Sequence, residues 1–383
     1  MYLASLELRD FRRYETAHLE LGPGVTVIEG LNGAGKTTLL EAVAWVALGR
    51  SFRHVPDQAL VRDGCDTAIV RAAVEHDGRR QTLDAELRVA GRNRVVVNGH
   101  PLTRARDRLD ILRVTIFAPD DLALVKGGPT ERRDFLDDLL VTLAPRYEAA
   151  RADYERVLRH RNALLKGGAR GPDAAPTLDV FDEQLARAGG ELVRGRLRLV
   201  DRLTPVIAEA YARLAGRPAV IEGRYEADWA RPTPGAAGEA GEAGELDPAD
   251  ADTRLHEALA ALRSREIDRG VTLAGPHRDE WRLTLDGLDT RTHASQGEQR
   301  SLALALRLAG HQVSTETLDA APVLLLDDVF SELDQQRAVA LAHALPEGQT
   351  LVSTASALPA AVHPDLHLRV DAGSIASSYT AST

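Results

Sequence analysis

Gly30-Leu31-Asn32-Gly33-Ala34-Gly35-Lys36-Thr37, with Thr38 after it, is the stretch whose reading decides the fold of this 383-residue chain. It fits G-x-x-x-x-G-K-[ST], the phosphate-binding loop. The apolar run Val25-Thr26-Val27-Ile28-Glu29 precedes it and predicts a strand. Thr38-Leu39-Leu40-Glu41-Ala42-Val43-Ala44 follows with a helical pattern. Strand, glycine-rich loop and helix are the context such a loop requires. The glycines let backbone N–H groups turn toward a triphosphate, and the helix N-terminus adds partial positive charge. Gly30, Asn32, Gly33, Ala34, Gly35, Lys36, Thr37 and Thr38 are therefore candidate nucleotide-binding residues. Lys36 reaches the β- and γ-phosphates in this reading, and the Thr37 hydroxyl holds Mg²⁺.

Composition narrows the setting. The length allows two or more packed units. No basic-then-apolar leader opens the chain, and no apolar run approaches a membrane span, so a cytoplasmic protein is expected. Cys65 is the only cysteine, which excludes intramolecular disulfides and cysteine-rich zinc sites. The formal net charge of −10 excludes a uniformly basic coat, so contact with DNA requires a local basic patch. The cations are nearly all arginine; the lysines are Lys36, Lys126 and Lys166.

Outward from the loop, residues 2–8 alternate as a strand does, and residues 65–117 are mostly strand-like. Asn98-Gly99 after Arg94-Val95-Val96-Val97 is a strong hairpin signal. At Gly127-Gly128-Pro129 the texture changes, and the period is helical to about 216. Residues 232–250 are low-complexity and acidic, which predicts a mobile surface loop. A helix is expected at 251–265, then strands near 271–274 and 281–285. These patterns predict a discontinuous head, 1–126 and 266–383, with a helical arm domain at 127–265 inserted between its halves.

A second constellation lies at the far end. Ala321-Pro322-Val323-Leu324-Leu325-Leu326-Asp327-Asp328 is an apolar run ending in two acids, as a buried parallel strand ends. Asp327 would hold the Mg²⁺ water shell opposite Thr37. Asp328 would orient or deprotonate the attacking water. Ser295-Gln296-Gly297-Glu298-Gln299-Arg300 precedes an apolar-periodic helix. Ser295 and Glu298 fit a capping box, while Ser295 and Gly297 also suit a γ-phosphate clamp. Arg12 and Arg13 follow the first strand and are placed to reach phosphate or base, or to sit in a solvated turn.

The order of these motifs, with Ser331-Glu332-Leu333-Asp334 after the second acid, resembles the ABC-type ATPases. Within them the chain resembles the RecF family, related to the SMC heads. The likeness spans nearly the whole length. It rests on Leu8-Arg9-Asp10-Phe11-Arg12-Arg13-Tyr14, the phosphate loop, Gly49-Arg50-Ser51-Phe52-Arg53 and Lys126-Gly127-Gly128-Pro129-Thr130-Glu131-Arg132-Arg133. Gly275-Pro276-His277-Arg278-Asp279 and Ser295-Gln296-Gly297-Glu298-Gln299-Arg300 complete it.

The resemblance implies an α/β fold: an ABC-type P-loop ATPase head with mixed β-sheets plus an inserted α-helical arm. It implies ATP and Mg²⁺ as cofactors, with Asp328, Lys36 and Ser295 catalytic and Ser295 facing nucleotide on a second copy. It further implies an ATP-dependent homodimer on gapped or junction DNA, slow DNA-dependent hydrolysis, and partnership with RecR and RecO to place RecA on single strands. Alternatives are the ATPase subunit of an ABC transporter and an SMC-like structural linker. Asp328 stands where many such ATPases carry glutamate. Thr354 stands where transporters carry a switch histidine, and Asp120-Asp121 stands where a glutamine is usual.

Overall fold

A computed structural model describes residues 1–102, 104–169, 173–231, 246–371 and 373–379. Two compact units divide the chain. One comprises Met1–Leu122, Glu209–Pro218 and Gln296–Thr383; the other comprises Ala123–Ala208 and Ala219–Ser295.

The first unit is built on two six-stranded sheets. In one, the order is Ser374–Tyr379, Leu366–Asp371, Val25–Glu29, Thr350–Thr354, Val323–Asp327, Val114–Phe117. All its pairs are parallel except the terminal hairpin. Val323–Asp327 and Thr350–Thr354 are buried at every residue, which is why their sequences show no alternation. The other sheet is antiparallel, in the order Tyr14–Glu20, Tyr2–Phe11, Thr67–His76, Arg79–Arg88, Arg94–Val97, His100–Pro101. The helix Lys36–Leu48 packs against strands of both sheets. Layers on both sides explain why it is buried continuously from Leu39 to Ala47 and has no polar face.

The second unit holds the helices Pro129–Leu143, Arg146–Lys166 and Ala251–Arg269 and most of the 42-residue helix Ala174–Ala215. It also carries an antiparallel sheet, Leu288–Asp289, Glu280–Leu285, Ile221–Glu226. Tyr154, Val157, Leu185, Leu192, Leu255 and Leu259 form its core. Gly190 lets the long helix touch the helix at Asp252: a Cβ there would lie 2.8 Å from the Asp252 backbone nitrogen.

Three expectations are corrected. The head does not resume at 266, because residues 266–295 belong to the second unit. Their strand Glu280–Leu285 pairs with Ile221–Glu226, so this unit is not purely helical. No strand forms at 271–274. There the Thr272 amide bonds the Asn162 side chain and the Leu273 amide bonds Glu266, so side chains replace the ladder. Of the predicted acidic loop, residues 232–245 lie outside the described residues. Pro248–Asp250 is a single 3₁₀ turn capped by Asp247 and leads into Ala251–Arg269.

Candidate functional site

The parallel sheet places the two constellations together. The glycine loop leaves the C-terminal end of Val25–Glu29, and Asp327 ends its own strand. Thr350–Thr354 lies between them, with Ser353 in register with both Asp327 and Ile28. Ligand sites of open α/β sheets form at this edge. A cleft of about 730 Å³ opens here. Its lining includes Asn32, Gly33, Gly35, Lys36, Thr37, Thr38, Arg12, Arg13, Asp327 and Asp328.

Each loop residue has a local reason for its place. Gly35 has φ 121°, and a Cβ there would lie 2.7 Å from the Tyr14 hydroxyl. The Tyr14 hydroxyl donates to the Gly35 carbonyl at 3.1 Å, and burial pushes its pKa up to about 12. Gly30 and Ala34 shape the loop without lining the cleft: a Cβ at Gly30 would strike the Val370 carbonyl, and the Ala34 amide bonds Leu31. The Lys36 ammonium donates to the carbonyls of Gly30 at 2.8 Å and Leu31 at 3.1 Å. No side chain caps the helix Lys36–Leu48, and no acid stands in its first turn. Its N-terminal amides and dipole therefore face an anion without competition.

The Thr37 hydroxyl donates to Asp327 Oδ1 at 2.7 Å, joining positions 290 residues apart. The Ser353 hydroxyl donates to the same oxygen at 2.7 Å. Burial raises the Asp327 pKa, while the hydroxyls of Thr37 and Ser353 oppose the rise. Asp328 bends into the left-handed region at φ 51°, and its Oδ1 is buried with no hydrogen-bond partner. A hydroxyl beside a carboxylate is an oxygen pair that suits Mg²⁺, which keeps waters and takes phosphate oxygens rather than a full protein cage. Among the described residues no cluster of three His, Cys, Asp or Glu competes as a metal site. Thr37 and Asp327 would hold the ion.

Arg12 and Arg13 differ. Arg12 has φ 55° and makes a bidentate pair with buried Glu41, at 2.9 and 3.0 Å. Glu41 also accepts from Ser51, so the guanidinium is held from beneath while it lines the cleft. Arg13 is exposed at the rim. Asp120 lines the cleft, whereas Asp121 accepts from Arg307 and from the Ala118 amide.

Other predicted residues fall elsewhere. Ser295 and Gly297 are not in the cleft's lining. Ser295 is exposed just before the helix Gln296–Leu318. Gly297 lies against Arg337, which bonds Ser301 at 2.9 Å. The Thr354 hydroxyl is engaged with the Ser356 backbone at 2.7 and 3.1 Å, so it does not face the cleft; Ser353 stands by the acids instead. Phe52, Arg53, Ala59, Val61 and Asp63 also line the cleft, unforeseen. Phe52 and Arg53 follow Ser51, whose hydroxyl bonds Glu41 and the Arg53 amide. Val61 arrives through a bridge to Phe11 that leaves no local sequence signal.

The family-specific strings are structural braces of the second unit. Arg132 bonds Glu280 at 2.9 Å and the carbonyls of Leu124 and Gly127. Arg133 bonds the Asp279 carbonyl at 2.8 Å. Asp279 in turn accepts from Tyr225 and Trp229, both at 2.6 Å.

Comparison with known proteins accords with this geometry. The model of the RecF/RecN/SMC N-terminal domain matches residues 2–357. The chain is 45% identical over 361 residues to the DNA replication and repair protein RecF of Acidothermus cellulolyticus, covering 93% of this chain and 94% of that one. It is 47% identical over 366 residues to the RecF of Frankia alni, covering 93% of each. A solved structure of the recombination mediator protein RecF with ATP, from the RecFOR pathway, superposes with a TM-score of 0.86. That likeness is at 28% identity and covers 98% of this chain and 97% of the other. An Smc head with an extended coiled coil, from Pyrococcus furiosus, shares the fold at a TM-score of 0.56 and 18% identity, covering 99% and 96% of the two chains.

Proposed function

We propose a function from one premise: the chain belongs to the RecF family of the RecF/RecN/SMC proteins. It acts in DNA replication and repair as an ATP-driven clamp. ATP binds in the cleft, two heads close over two nucleotides, and the closed dimer grips DNA at gaps or double-strand/single-strand junctions. Hydrolysis reopens it and serves as a release timer. The dimer works with RecR and RecO to place RecA on single strands. Two observations argue against membrane transport as its task. Among the described residues no helix is long and apolar enough to cross a membrane, and the family match runs through the inserted unit as well as the head.

The residues divide the work. Backbone amides of the loop and the helix N-terminus bind the phosphates, and Lys36 orients the terminal ones. Bound Mg²⁺ would supply charge neutralisation for the phosphates. Thr37 and Asp327 fix where that charge sits. Asp328, with an unpartnered oxygen at the cleft, holds or accepts a proton of the attacking water. Ser295, exposed before its helix, is placed to meet nucleotide on the second copy. A one-methylene-shorter acid than glutamate suits slow turnover.

The observation that carries this reading is the Thr37–Asp327 contact at 2.7 Å, which closes a nucleotide–metal site from opposite ends of the chain. Sedimentation with gapped DNA tests it. ATP should produce a DNA-bound dimer whose affinity falls steeply with salt, since an acidic protein needs focused phosphate contacts. Tight, salt-insensitive DNA binding without nucleotide would overturn the clamp.

A further inference from the structure

Ser353 is fully buried, on the strand between the phosphate-loop strand and the strand that ends in Asp327. Its side chain touches both acids. The hydroxyl donates its proton to Asp327 Oδ1 at 2.7 Å and accepts from the Asp328 amide at 3.1 Å. The Ser353 carbonyl accepts from the same amide at 3.1 Å.

We infer that Ser353 is a positioning residue for the metal–nucleotide site, setting Asp327 for the cation and Asp328 for the water. The inference rests on the nucleotide reading above. Its first half follows from counting lone pairs. Asp327 Oδ1 receives two hydroxyl protons, from Thr37 on the loop side and Ser353 on the sheet side. The carboxylate is thereby fixed from two directions, and Oδ2 remains for the cation's water shell. Thr37 belongs to the element that meets the ligand, whereas Ser353 belongs to the sheet. The sheet-side bond therefore keeps its geometry when the loop adjusts to a nucleotide.

The second half concerns the backbone. Asp328 lies at φ 51°, ψ 25°, a conformation that costs a non-glycine residue about 1 kcal/mol or more. Both oxygens of Ser353 hold its amide and so maintain that bend. The bend puts Asp328 Oδ1 at the cleft without a protein partner. One serine thus orients two acids with different tasks. A serine that merely braced the strand would affect stability alone.

The test uses the full chain with Ser353→Ala, Ser353→Thr and Ser353→Cys. Binding of a fluorescent ATP analogue is titrated with Mg²⁺ and repeated in chelator; Mn²⁺ spectra with ATP report the ion directly. Steady-state hydrolysis gives kcat and KM, and urea unfolding gives stability. Ser353→Ala should raise the Mg²⁺ midpoint by roughly 5- to 10-fold, the loss of one charge-assisted hydrogen bond. Nucleotide binding in chelator should be unchanged, and kcat should fall more than KM rises. Ser353→Thr should restore the Mg²⁺ midpoint. Ser353→Cys, near in volume and weak as a donor, should fall between and covers the case in which Ser353→Ala fails to fold.

Wild-type Mg²⁺ midpoints and kcat in Ser353→Ala or Ser353→Cys, with only lowered stability, would overturn the positioning role. A wild-type protein that binds no ATP overturns the nucleotide reading, and this inference with it. ATP binding with an unmoved Mg²⁺ dependence defeats this inference alone.

Discussion

In the cleft, Lys36 donates to two carbonyls of its own loop, Arg13 stands at the rim, and an Asp328 oxygen is buried with no partner. In the second unit, Arg196 donates to both oxygens of Asp137 at 2.7 and 2.8 Å, to the Pro276 carbonyl at 2.7 Å and to Tyr225 at 3.1 Å. Arg161, fully buried, reaches Asp182, Thr272 and Glu266 at 2.7, 2.9 and 2.6 Å. Both regions use cations, carboxylates and a tyrosine. They differ in saturation. The second unit meets its polar groups internally, so its network sets a fold. The cleft leaves acceptors and amides directed at something that must come from outside. Buried polarity alone marks neither function nor structure; the unmet fraction separates them.

Four experiments press on that contrast, the largest effect first. Arg196→Met removes the counter-charge of buried Asp137 and strips bonds from Pro276 and Tyr225. It should cost about 3–5 kcal/mol in urea unfolding. The folded fraction should bind ATP as wild type does. A loss near zero would mean the network is not a brace.

Asp328→Asn should lower hydrolysis by about 10²- to 10⁴-fold, because an amide cannot accept the water's proton. ATP binding should persist, with a long-lived ATP-dependent dimer on DNA. Normal turnover would remove Asp328 from the reaction.

Lys36→Met should weaken ATP binding on the order of 100-fold through loss of charge-assisted phosphate contacts. Stability should move by about 1 kcal/mol or less, since Lys36 bonds only loop carbonyls. Calorimetric titration beside thermal unfolding measures both. A variant that unfolds would place Lys36 on the structural side of the comparison.

The smallest effect is a slope. Burial pushes Asp279 up to about 6 from 3.8 and His277 down to about 4 from 6.5. The folded state holds the Asp279 proton more tightly than the unfolded chain, so that group adds stability as pH falls from 6 toward 3.8. The unfolded chain holds the His277 proton more tightly, so that group loses stability as pH falls from 6.5 toward 4. The two oppose each other in wild type. Asp279→Asn should therefore lose stability more steeply than wild type between pH 6.5 and 4. Parallel slopes of urea midpoint against pH would count against the buried-carboxylate account.

Much of this protein was legible in its residues. A loop with that glycine spacing, between an apolar strand and a helix, admits one local conformation, because its contacts are nearly all local. An apolar run ending in Asp327-Asp328 announces a buried strand with acids at its edge. Ser353 and Thr354 show the limit. As neighbours with the same hydroxyl chemistry on one strand they are equivalent in sequence, and strand alternation together with sheet register sends only Ser353 toward the acids.

The Gly-Pro-His-Arg-Asp string shows it again. Its composition suggested chemistry and named a family, yet His277 pairs with Tyr154 at 2.6 Å and Asp279 with Tyr225 and Trp229 inside the second unit. By itself the sequence determined the phosphate loop, its flanking elements and the pair of acids, since local spacing and burial encode these. Tertiary structure alone decided that Thr37 meets Asp327, that residues 266–295 join the second unit, that Val61 reaches the cleft, and which arginines are saturated. Those outcomes depend on pairings between residues tens to hundreds of positions apart, and strand register and side-chain direction are settled only when the sheets assemble.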